Sequence, residues 1–179
     1  ATVESEQDLA DLFASIVPER KWFVLGGGSN VVFPDTDCDA LIIRLGWTDM
    51  HVGTEDSETV SVYASAGTDW DAFVEYTVAH GWSGIEALSA IPGSVGATPI
   101  QNVGAYGSEV KDTIVSVRAF DVTTASFVDF SNAECRFAYR DSMFKHEGKG
   151  RYVVTGATFQ LRRAAPTAPR YPGVADRKS

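Results

Sequence analysis

A long apolar segment rich in glycine constrains the fold of this chain more than any other feature of its sequence. Residues 84–107 contain five glycines and two prolines, while Glu86 is their only charged residue. A disordered linker would be polar, and a long buried loop needs partners for its backbone N–H and C=O groups. Small residues let a backbone approach a flat ligand closely, and apolar neighbours can cover its rings. The segment therefore predicts an ordered backbone that wraps a ligand, with a buried structural loop as the alternative.

A second glycine-rich stretch, residues 26–30 (GGGSN), follows the apolar residues 22–25, which predict a buried strand. Successive glycines allow several backbone N–H groups to converge on an anion. The stretch lacks the Gly-Lys-Ser/Thr of a Walker loop. It also does not open a helix as a Rossmann loop must, because residues 31–33 are apolar, mostly β-branched and followed by Pro34. The pattern predicts a strand–loop–strand phosphate cradle or, with equal weight, a simple hairpin turn.

The hydrophobic periodicity along the rest of the chain predicts two helices and several strands. The first helix covers residues 4–16, with Ser5 as its N-cap and Pro18 as its end. The second covers residues 68–80 and stops at Gly81. Strands are predicted at residues 22–25, 31–33, 40–45, 60–66, 113–121, 126–130 and 152–161, with 113–121 and 126–130 paired. This order is typical of an α+β fold rather than a regular βαβ series.

The charge balance and the composition exclude several classes of protein. With 24 acidic and 15 basic side chains the formal net charge is −9, which argues against a broad surface for nucleic acid or anionic membranes. No window holds the roughly eighteen apolar residues that a membrane helix needs. The acidic and polar start of the sequence does not resemble a signal peptide. A cytoplasmic protein without nucleic-acid or membrane partners is therefore expected.

The cysteines and histidines do not form a pattern of metal ligands. Cys38 and Cys135 lie in no CxxC or Cys/His cluster, and they are predicted to be reduced and mostly buried. His51, His80 and His146 are scattered along the chain without metal-ligand spacing. No metal site is expected.

Three stretches of the sequence together resemble the UDP-N-acetylenolpyruvoylglucosamine reductase family. They are residues 26–30, residues 84–107 and residues 135–145 (CRFAYRDSMFK), and they occur in this order. Each stretch alone is weak, but the combination is specific, and the resemblance runs from about residue 3 to residue 171. It implies the α+β fold of a vanillyl-alcohol-oxidase/PCMH-type FAD-binding domain made of two α+β sub-domains.

The resemblance also implies how the chain is divided. Residues 1–48 would form the first FAD-binding sub-domain and residues 49–163 the second. Residues 164–179, where the composition shifts to Ala, Pro and Arg, would connect toward a substrate-binding domain. The family's proton-donating serine motif and its C-terminal catalytic glutamate do not occur in the 179 residues. We therefore expect an FAD-binding part of a reductase that does not turn over fully on its own.

The cofactor implied by the resemblance is FAD, with NADPH as the hydride donor. No His or Cys lies in either glycine-rich stretch, so non-covalent attachment is expected. Ala97 stands where some relatives carry serine, which removes one side-chain hydrogen bond. The residues implied to bind FAD are Gly26, Gly27, Gly28, Ser29, Asn30, Ile91, Gly93, Ser94, Gly96, Ala97, Ile100, Asn102, Val103, Gly104 and Val154.

The reaction implied by the resemblance reduces UDP-GlcNAc-enolpyruvate to UDP-N-acetylmuramate in peptidoglycan precursor synthesis. Arg140 would be catalytic, because a guanidinium can fork onto the substrate carboxylate as negative charge develops there. The alternative for Arg140 is a non-catalytic role in a surface ion pair with Asp141. Tyr139, Arg140 and Tyr171 would bind the substrate, and the protein is expected to be monomeric. Alternative functions are a related flavoprotein with another substrate and a non-catalytic module that binds FAD or a nucleotide.

Overall fold

The computed structural model describes residues 1–16 and 20–164. A first sheet contains three parallel strands, β1 (Thr2–Val3), β2 (Trp22–Val24) and β3 (Leu41–Leu45), in the order β1-β3-β2. Val24 lies opposite Ile43. Parallel neighbours need a crossover connection, so the chain between β2 and β3 must return along the sheet before β3 begins.

Helix α1 (Glu6–Ser15) connects β1 to β2. It begins at Ser5, whose Oγ accepts a hydrogen bond from the N–H of Asp8 at 3.1 Å. This cap satisfies one of the free N–H groups at the start of a helix, and the predicted N-cap is confirmed. The predicted end at Pro18 lies outside the described residues.

A second, larger sheet consists of the strands β4 (Met50–Glu55), β5 (Thr59–Ser65), β8 (Ile114–Asp121), β9 (Ser126–Ser131) and β10 (Tyr152–Arg162). It is antiparallel throughout and has the order β4-β5-β10-β8-β9. Its central strand β10 pairs with β5 on one side and with β8 on the other, so that Ala157 lies between Ala64 and Val117. The edge strand β4 is exposed along its whole length, and its pairing with β5 shifts register between Val52 and Glu55.

Short elements connect β5 to β8. Helix α2 (Trp70–Ala79) begins at Asp69, whose Oδ1 accepts from the N–H of Ala72 at 2.9 Å. A small hairpin pairs β6 (Gly104–Ala105) with β7 (Ser108–Glu109). Single 3-10 turns lie at Glu86–Leu88, Val95–Ala97, Val110–Asp112 and Met143–Lys145.

The larger sheet buries a different helix on each of its faces. Because side chains alternate along a strand, Val117 faces the cluster that contains α2, whereas Arg118 faces α1 and binds Glu6 at 2.6 Å. On the α1 side, a second cluster joins Leu9 of the helix to Ile43 of the first sheet and to Phe120 of the second. Helix α1 is therefore the layer that holds the two sheets together.

Two predictions from sequence are wrong. Residues 31–33 do not form a strand; they are irregular and Val32 is 97% exposed. Their β-branched composition favours a strand, but β2 pairs in parallel with β3, and residues 31–33 do not pair with the other edge of β2, which stays open among the described residues. Cys38 was predicted to be mostly buried and is exposed, because it lies in the same irregular connection. Cys135 is buried as predicted, and burial raises the pKa of its thiol to about 12.

The remaining predicted strands and both helices match the structure to within two residues at each end. Four strands were not predicted: β1, β6 and β7, which have two residues each, and the exposed β4. The strands of the first sheet lie within residues 2–45 and those of the second within residues 50–162. The division into sub-domains at residue 48 stays a prediction. Among the described residues no helix is long and apolar enough to cross a membrane.

Candidate cofactor-binding site

A cleft of about 500 Å³ lies beyond the carboxyl ends of β2 and β3. Val24 and Leu45, the last residues of these two strands, both line it. In sheets with parallel strands, ligands commonly bind at this edge, because loops that leave neighbouring strands converge there. The volume is in the usual range of roughly 300–1,000 Å³ for ligand pockets.

The two glycine-rich stretches meet in this cleft, although they are about sixty residues apart in the chain. Every residue implied to bind FAD lines the cleft except Asn102 and Gly104. The lining residues that were not predicted are Val24, Leu25, Val31, Leu45, Ala66, Trp70, Pro92, Thr98, Gln101, Lys145, Tyr152 and Val153. No histidine or cysteine lines the cleft within the described part of the chain.

Residues 26–30 form a loop whose backbone donors face no protein acceptor. Among the described residues, none accepts a hydrogen bond from the N–H groups of this loop. Side chains fix its position instead: Ser29 Oγ donates to Pro92 O and Asn30 Nδ2 donates to Gln101 Oε1, both at 3.4 Å. Gly28 has a φ of 77°, which favours glycine. An exposed loop with several free backbone donors suits an anionic group.

Residues 91–103 are held against the end of β5 and the start of α2. Val95 N–H donates to Thr68 O at 2.9 Å, and Trp70 N–H donates to Gly93 O at 3.1 Å. A Cβ on Gly96 would lie 2.5 Å from Ala66 Cβ, so only glycine lets the segment approach this closely. Part of the segment's backbone is thus satisfied by protein groups, and its other face is left to line the cleft.

Asn102 and Gly104 lie on the side of the segment that turns away from the cleft. The Asn102 side chain is fully buried, and its Nδ2 donates to Ala138 O at 2.8 Å and to Glu109 Oε2 at 3.0 Å. Gly104 lies in β6, where a Cβ would meet Ser108 O at 2.8 Å. Their assignment to the cofactor stays a prediction.

Arg140 lies in a tight turn near the mouth of the cleft. Ala138 and Asp141 exchange two backbone hydrogen bonds of 3.0 and 3.1 Å, so Tyr139 and Arg140 form a two-residue turn. Both side chains are exposed, and Tyr139 is 81% exposed. Lys145, which lines the cleft, donates from Nζ to Arg140 O at 2.8 Å. Lys145 therefore connects the turn directly to the cleft.

The surface pair between Arg140 and Asp141 that was weighed as an alternative is not observed. Asp141 instead accepts from His146 Nε2 at 2.7 Å, and this bond is the main reason why the pKa of Asp141 lies below its usual value. In the described ranges, Arg140 makes no ion pair. Tyr171, the third residue implied to bind substrate, lies outside the described residues.

Several cleft residues could not be predicted from local sequence patterns. Leu45, Ala66 and Trp70 reach the cleft only because the first sheet is parallel and ends beside β5, which local periodicity does not reveal. Lys145 belongs to the 135–145 stretch that carries the resemblance, but its type alone suggests only a solvated cation. Among the described residues, no group of three or more His, Cys, Asp or Glu side chains could hold a metal ion.

Comparison with known proteins defines the class first: the chain belongs to the FAD binding domain family, which matches residues 1–131. Among curated proteins it is similar to the UDP-N-acetylenolpyruvoylglucosamine reductase of Neisseria gonorrhoeae, with 51% identity over 138 residues. That alignment covers 77% of this chain and 40% of the relative. The chain spans less than half the length of the curated relatives it matches.

Comparison with solved structures supports the same fold class. The UDP-N-acetylenolpyruvylglucosamine reductase (MurB) of Thermus caldophilus superimposes with a TM-score of 0.71 and 28% identity, over 91% of this chain and 55% of that one. The cholesterol oxidase of Brevibacterium sterolicum shares the fold, with a TM-score of 0.63 and 14% identity over 90% of this chain and 33% of that one. The predicted resemblance, fold class and FAD cofactor are confirmed.

Proposed function

We propose that this chain is the FAD-binding part of an NADPH-dependent reductase that converts UDP-GlcNAc-enolpyruvate to UDP-N-acetylmuramate. The observation that carries the proposal is the convergence of the three resembling stretches on one cleft, with free loop donors at one end and the Arg140 turn at its mouth. Such an enzyme would act as a cytoplasmic monomer in peptidoglycan precursor synthesis, and so in cell-wall biogenesis, cell shape and cell division. Its partners would be the UDP-sugar substrate and NADPH.

The cleft residues fit FAD in their chemistry. The free N–H groups of residues 26–30 would hold the pyrophosphate, because several convergent donors are what an anion requires. Apolar side chains such as Ile91, Ile100 and Val154 would cover the ring system, and the absence of a lining His or Cys from the described cleft supports non-covalent binding. Bound FAD would supply the hydride chemistry, between NADPH and the enolpyruvyl group.

Arg140 and Tyr139 would act on the substrate rather than on the cofactor. Both side chains extend from an exposed turn that Lys145 joins to the cleft. Arg140 has no protein carboxylate as a partner among the described residues, so its guanidinium is available to a substrate carboxylate. A fixed cation there would stabilise the negative charge that develops during reduction.

The cofactor is tested by titrating the protein with FAD and following flavin absorbance and fluorescence. We expect binding, with release of free yellow FAD on acid precipitation. Ser29→Ala should weaken binding roughly ten-fold or more, because the Ser29 hydroxyl would turn from Pro92 O to the pyrophosphate, and a hydrogen bond to a charged group typically contributes about 1.5–3 kcal/mol. Ser15→Ala is the matched control, since Ser15 Oγ also donates to a backbone carbonyl, at 2.8 Å, but lies in α1. Equal affinities of the two variants would remove Ser29 from the site.

The catalytic role is tested by stopped-flow measurement of the two half-reactions in a reductase that carries this chain. Arg140→Ala should leave flavin reduction by NADPH nearly normal and slow reoxidation by the enolpyruvyl substrate by roughly two to three orders of magnitude. Arg140→Lys, which keeps the charge but loses the fork, should lie between them. Arg136→Ala, which removes an exposed arginine paired with Glu147, is the control. Wild-type rates in both half-reactions of Arg140→Ala would contradict the role. FAD binding without reoxidation by this substrate in the wild type would indicate a different flavoprotein.

A further inference from the structure

The turn that carries Arg140 is fastened to the cleft-lining segment by two buried polar side chains. Asn102 donates from Nδ2 to Ala138 O at 2.8 Å, and Ser142 donates from Oγ to Ile100 O at 2.6 Å. Ala138 and Ser142 flank the turn on either side. Both donors are almost completely removed from solvent, with 0% of Asn102 and 1% of Ser142 exposed.

Asn102 uses its whole amide for this network. Besides Ala138 O, its Nδ2 donates to Glu109 Oε2 at 3.0 Å, and its Oδ1 accepts from the N–H of Lys111 at 3.1 Å. A flipped amide would place its oxygen against a carbonyl and a carboxylate, so the partners fix its orientation. No N–H of the side chain is left to reach a ligand. Its chemistry therefore points toward the turn rather than the cofactor.

The backbone of the turn needs such support. Arg140 has a φ of 54° and Asn102 a φ of 46°. Asparagine adopts this left-handed region readily, but arginine does so at a steric cost. A strained residue at an exposed tip keeps its conformation only where neighbouring structure holds it.

The negative charge of Glu109, next to this network, favours the position of the Arg140 guanidinium. Glu109 accepts from Lys111 Nζ at 2.5 Å, and this bond, followed by the Asn102 amide and more distantly the Arg140 charge, keeps the pKa of Glu109 below its usual value. The carboxylate is therefore ionised at neutral pH and attracts the guanidinium side of the turn.

We propose that Asn102 and Ser142 are positioning residues for Arg140, which fasten its turn to residues 100–102 and so fix the guanidinium relative to the cleft. The proposal rests on the catalytic role of Arg140 described under the proposed function. It assigns to the Asn102 side chain a task other than contact with FAD. Neither residue touches substrate or cofactor in this role.

Limited proteolysis with trypsin tests directly whether these two hydrogen bonds keep the turn closed, because trypsin cleaves after the exposed Arg140 when the turn opens. In Asn102→Ala and in Ser142→Ala, cleavage after Arg140 should accelerate about ten-fold, the factor that corresponds to loss of one buried hydrogen bond. Cleavage after Arg136 in the same samples reports general loosening and should change much less. Ser142→Ala removes a single bond, so it keeps the test available if Asn102→Ala folds poorly.

Asn132→Ala is the matched control for Asn102→Ala. Like Asn102, Asn132 donates two hydrogen bonds from Nδ2, here to Lys111 O at 2.8 Å and to Ile114 O at 2.7 Å, and neither carbonyl belongs to the turn. It should not accelerate cleavage after Arg140 relative to Arg136. If cleavage after Arg140 relative to Arg136 is no faster in Asn102→Ala or Ser142→Ala than in Asn132→Ala, the two hydrogen bonds do not hold the turn, whatever the role of Arg140 in catalysis.

The half-reactions then separate positioning from cofactor binding. In a reductase that carries this chain, Asn102→Ala should slow reoxidation by the enolpyruvyl substrate about ten-fold or more, while FAD affinity and flavin reduction by NADPH follow the Asn132→Ala control. Weaker FAD binding with normal reoxidation would overturn the proposal and return Asn102 to the cofactor. Wild-type rates in Arg140→Ala would overturn the catalytic role of Arg140 and the positioning role together, whereas the tryptic result would still show whether the two hydrogen bonds hold the turn.

Discussion

At the scale of single residues, the structure separates side chains that hold the fold from those left available for chemistry. Asp121 is nearly fully buried, and its carboxylate accepts from Arg151 Nη2 at 2.7 Å and from Arg151 Nε at 3.1 Å. Arg140, by contrast, is exposed and without an ion pair among the described residues. Cys135, whose thiol stays protonated because of burial, belongs with the first group.

The Asp121–Arg151 pair predicts a loss of stability in acid. Mainly through its bond to Arg151, the pKa of Asp121 falls from 3.8 to about 2. Because the folded pKa lies below the unfolded one, the pair stabilises the protein above about pH 4, and this contribution disappears as the pH falls toward 2. Asp121→Asn should therefore lower the free energy of unfolding near pH 7 by about 1–3 kcal/mol.

The measurement is urea unfolding of wild type and Asp121→Asn between pH 7 and pH 2. The difference between the two proteins should be constant down to about pH 4 and should shrink below it. Asp129→Asn is the control, because Asp129 also binds an arginine, Arg118 at 3.1 Å, but is 61% exposed. A difference for Asp121→Asn that is independent of pH would show that the charge of Asp121 does not matter.

At the scale of elements, the sequence predicts the helices and strands whose signals lie within or next to the element itself. Helix α1 has its cap at Ser5 and its apolar spacing within a few turns, and α2 likewise has apolar spacing and an end signal at Gly81, so both could be predicted from sequence. The prediction at residues 31–33 was wrong because their β-branched side chains favour a strand, whereas the strand that pairs with β2 is β3, which begins only at Leu41. Strand β4 could not be predicted from its hydrophobic pattern, because none of its side chains is buried.

The candidate site could be predicted in part for the same reason. The composition of residues 26–30 and 91–104 indicated a ligand, and the resemblance supplied the residues. That these two stretches meet, and that Asn102 turns toward Ala138 instead of the cleft, depends on contacts between distant parts of the chain. No periodicity within either stretch contains that information.

The close approach of the 91–103 segment to β5 predicts the effect of adding one methyl group. Gly96→Ala would bring a Cβ to 2.5 Å from Ala66 Cβ and 3.0 Å from Ala66 Cα. Because backbone must move to relieve this contact, we expect a loss of about 1–3 kcal/mol in the free energy of unfolding, and weaker FAD binding. Gly27→Ala meets only Gly93 Cα at 3.7 Å, so its stability should change by about 1 kcal/mol at most. Equal urea midpoints for the two variants would show that the segment is not closely packed.

At the scale of the whole molecule, the cleft is assembled from two sheets that share one helix layer. Val24 and Leu45 come from the first sheet, and Val153 and Val154 come from the second. The relative position of these side chains depends on α1, because Leu9 is buried between both sheets. The geometry of the cleft is thus set partly by residues that do not line it.

Leu9→Ala tests this dependence. The cavity should cost about 2–5 kcal/mol in the free energy of unfolding, as for other buried leucines. FAD affinity should also fall, because the two walls of the cleft lose their common support. Leu161→Ala is the control, since Leu161 is equally buried but belongs to the cluster that contains α2. If calorimetry shows the same FAD affinity in both variants at matched stability, α1 does not set the cleft.

The exposed edge strand β4 bears on how the protein behaves at high concentration. An open edge offers unpaired backbone groups to a second chain, which is a common route to aggregation. Here Ser61 Oγ accepts from the N–H of Thr54 at 2.8 Å, within the stretch where β4 and β5 lose register. That irregularity bends the edge and interrupts the straight row of donors and acceptors that another strand would need. Solutions of the protein should therefore resist sheet-to-sheet association even though Met50 and Val52 are open to water.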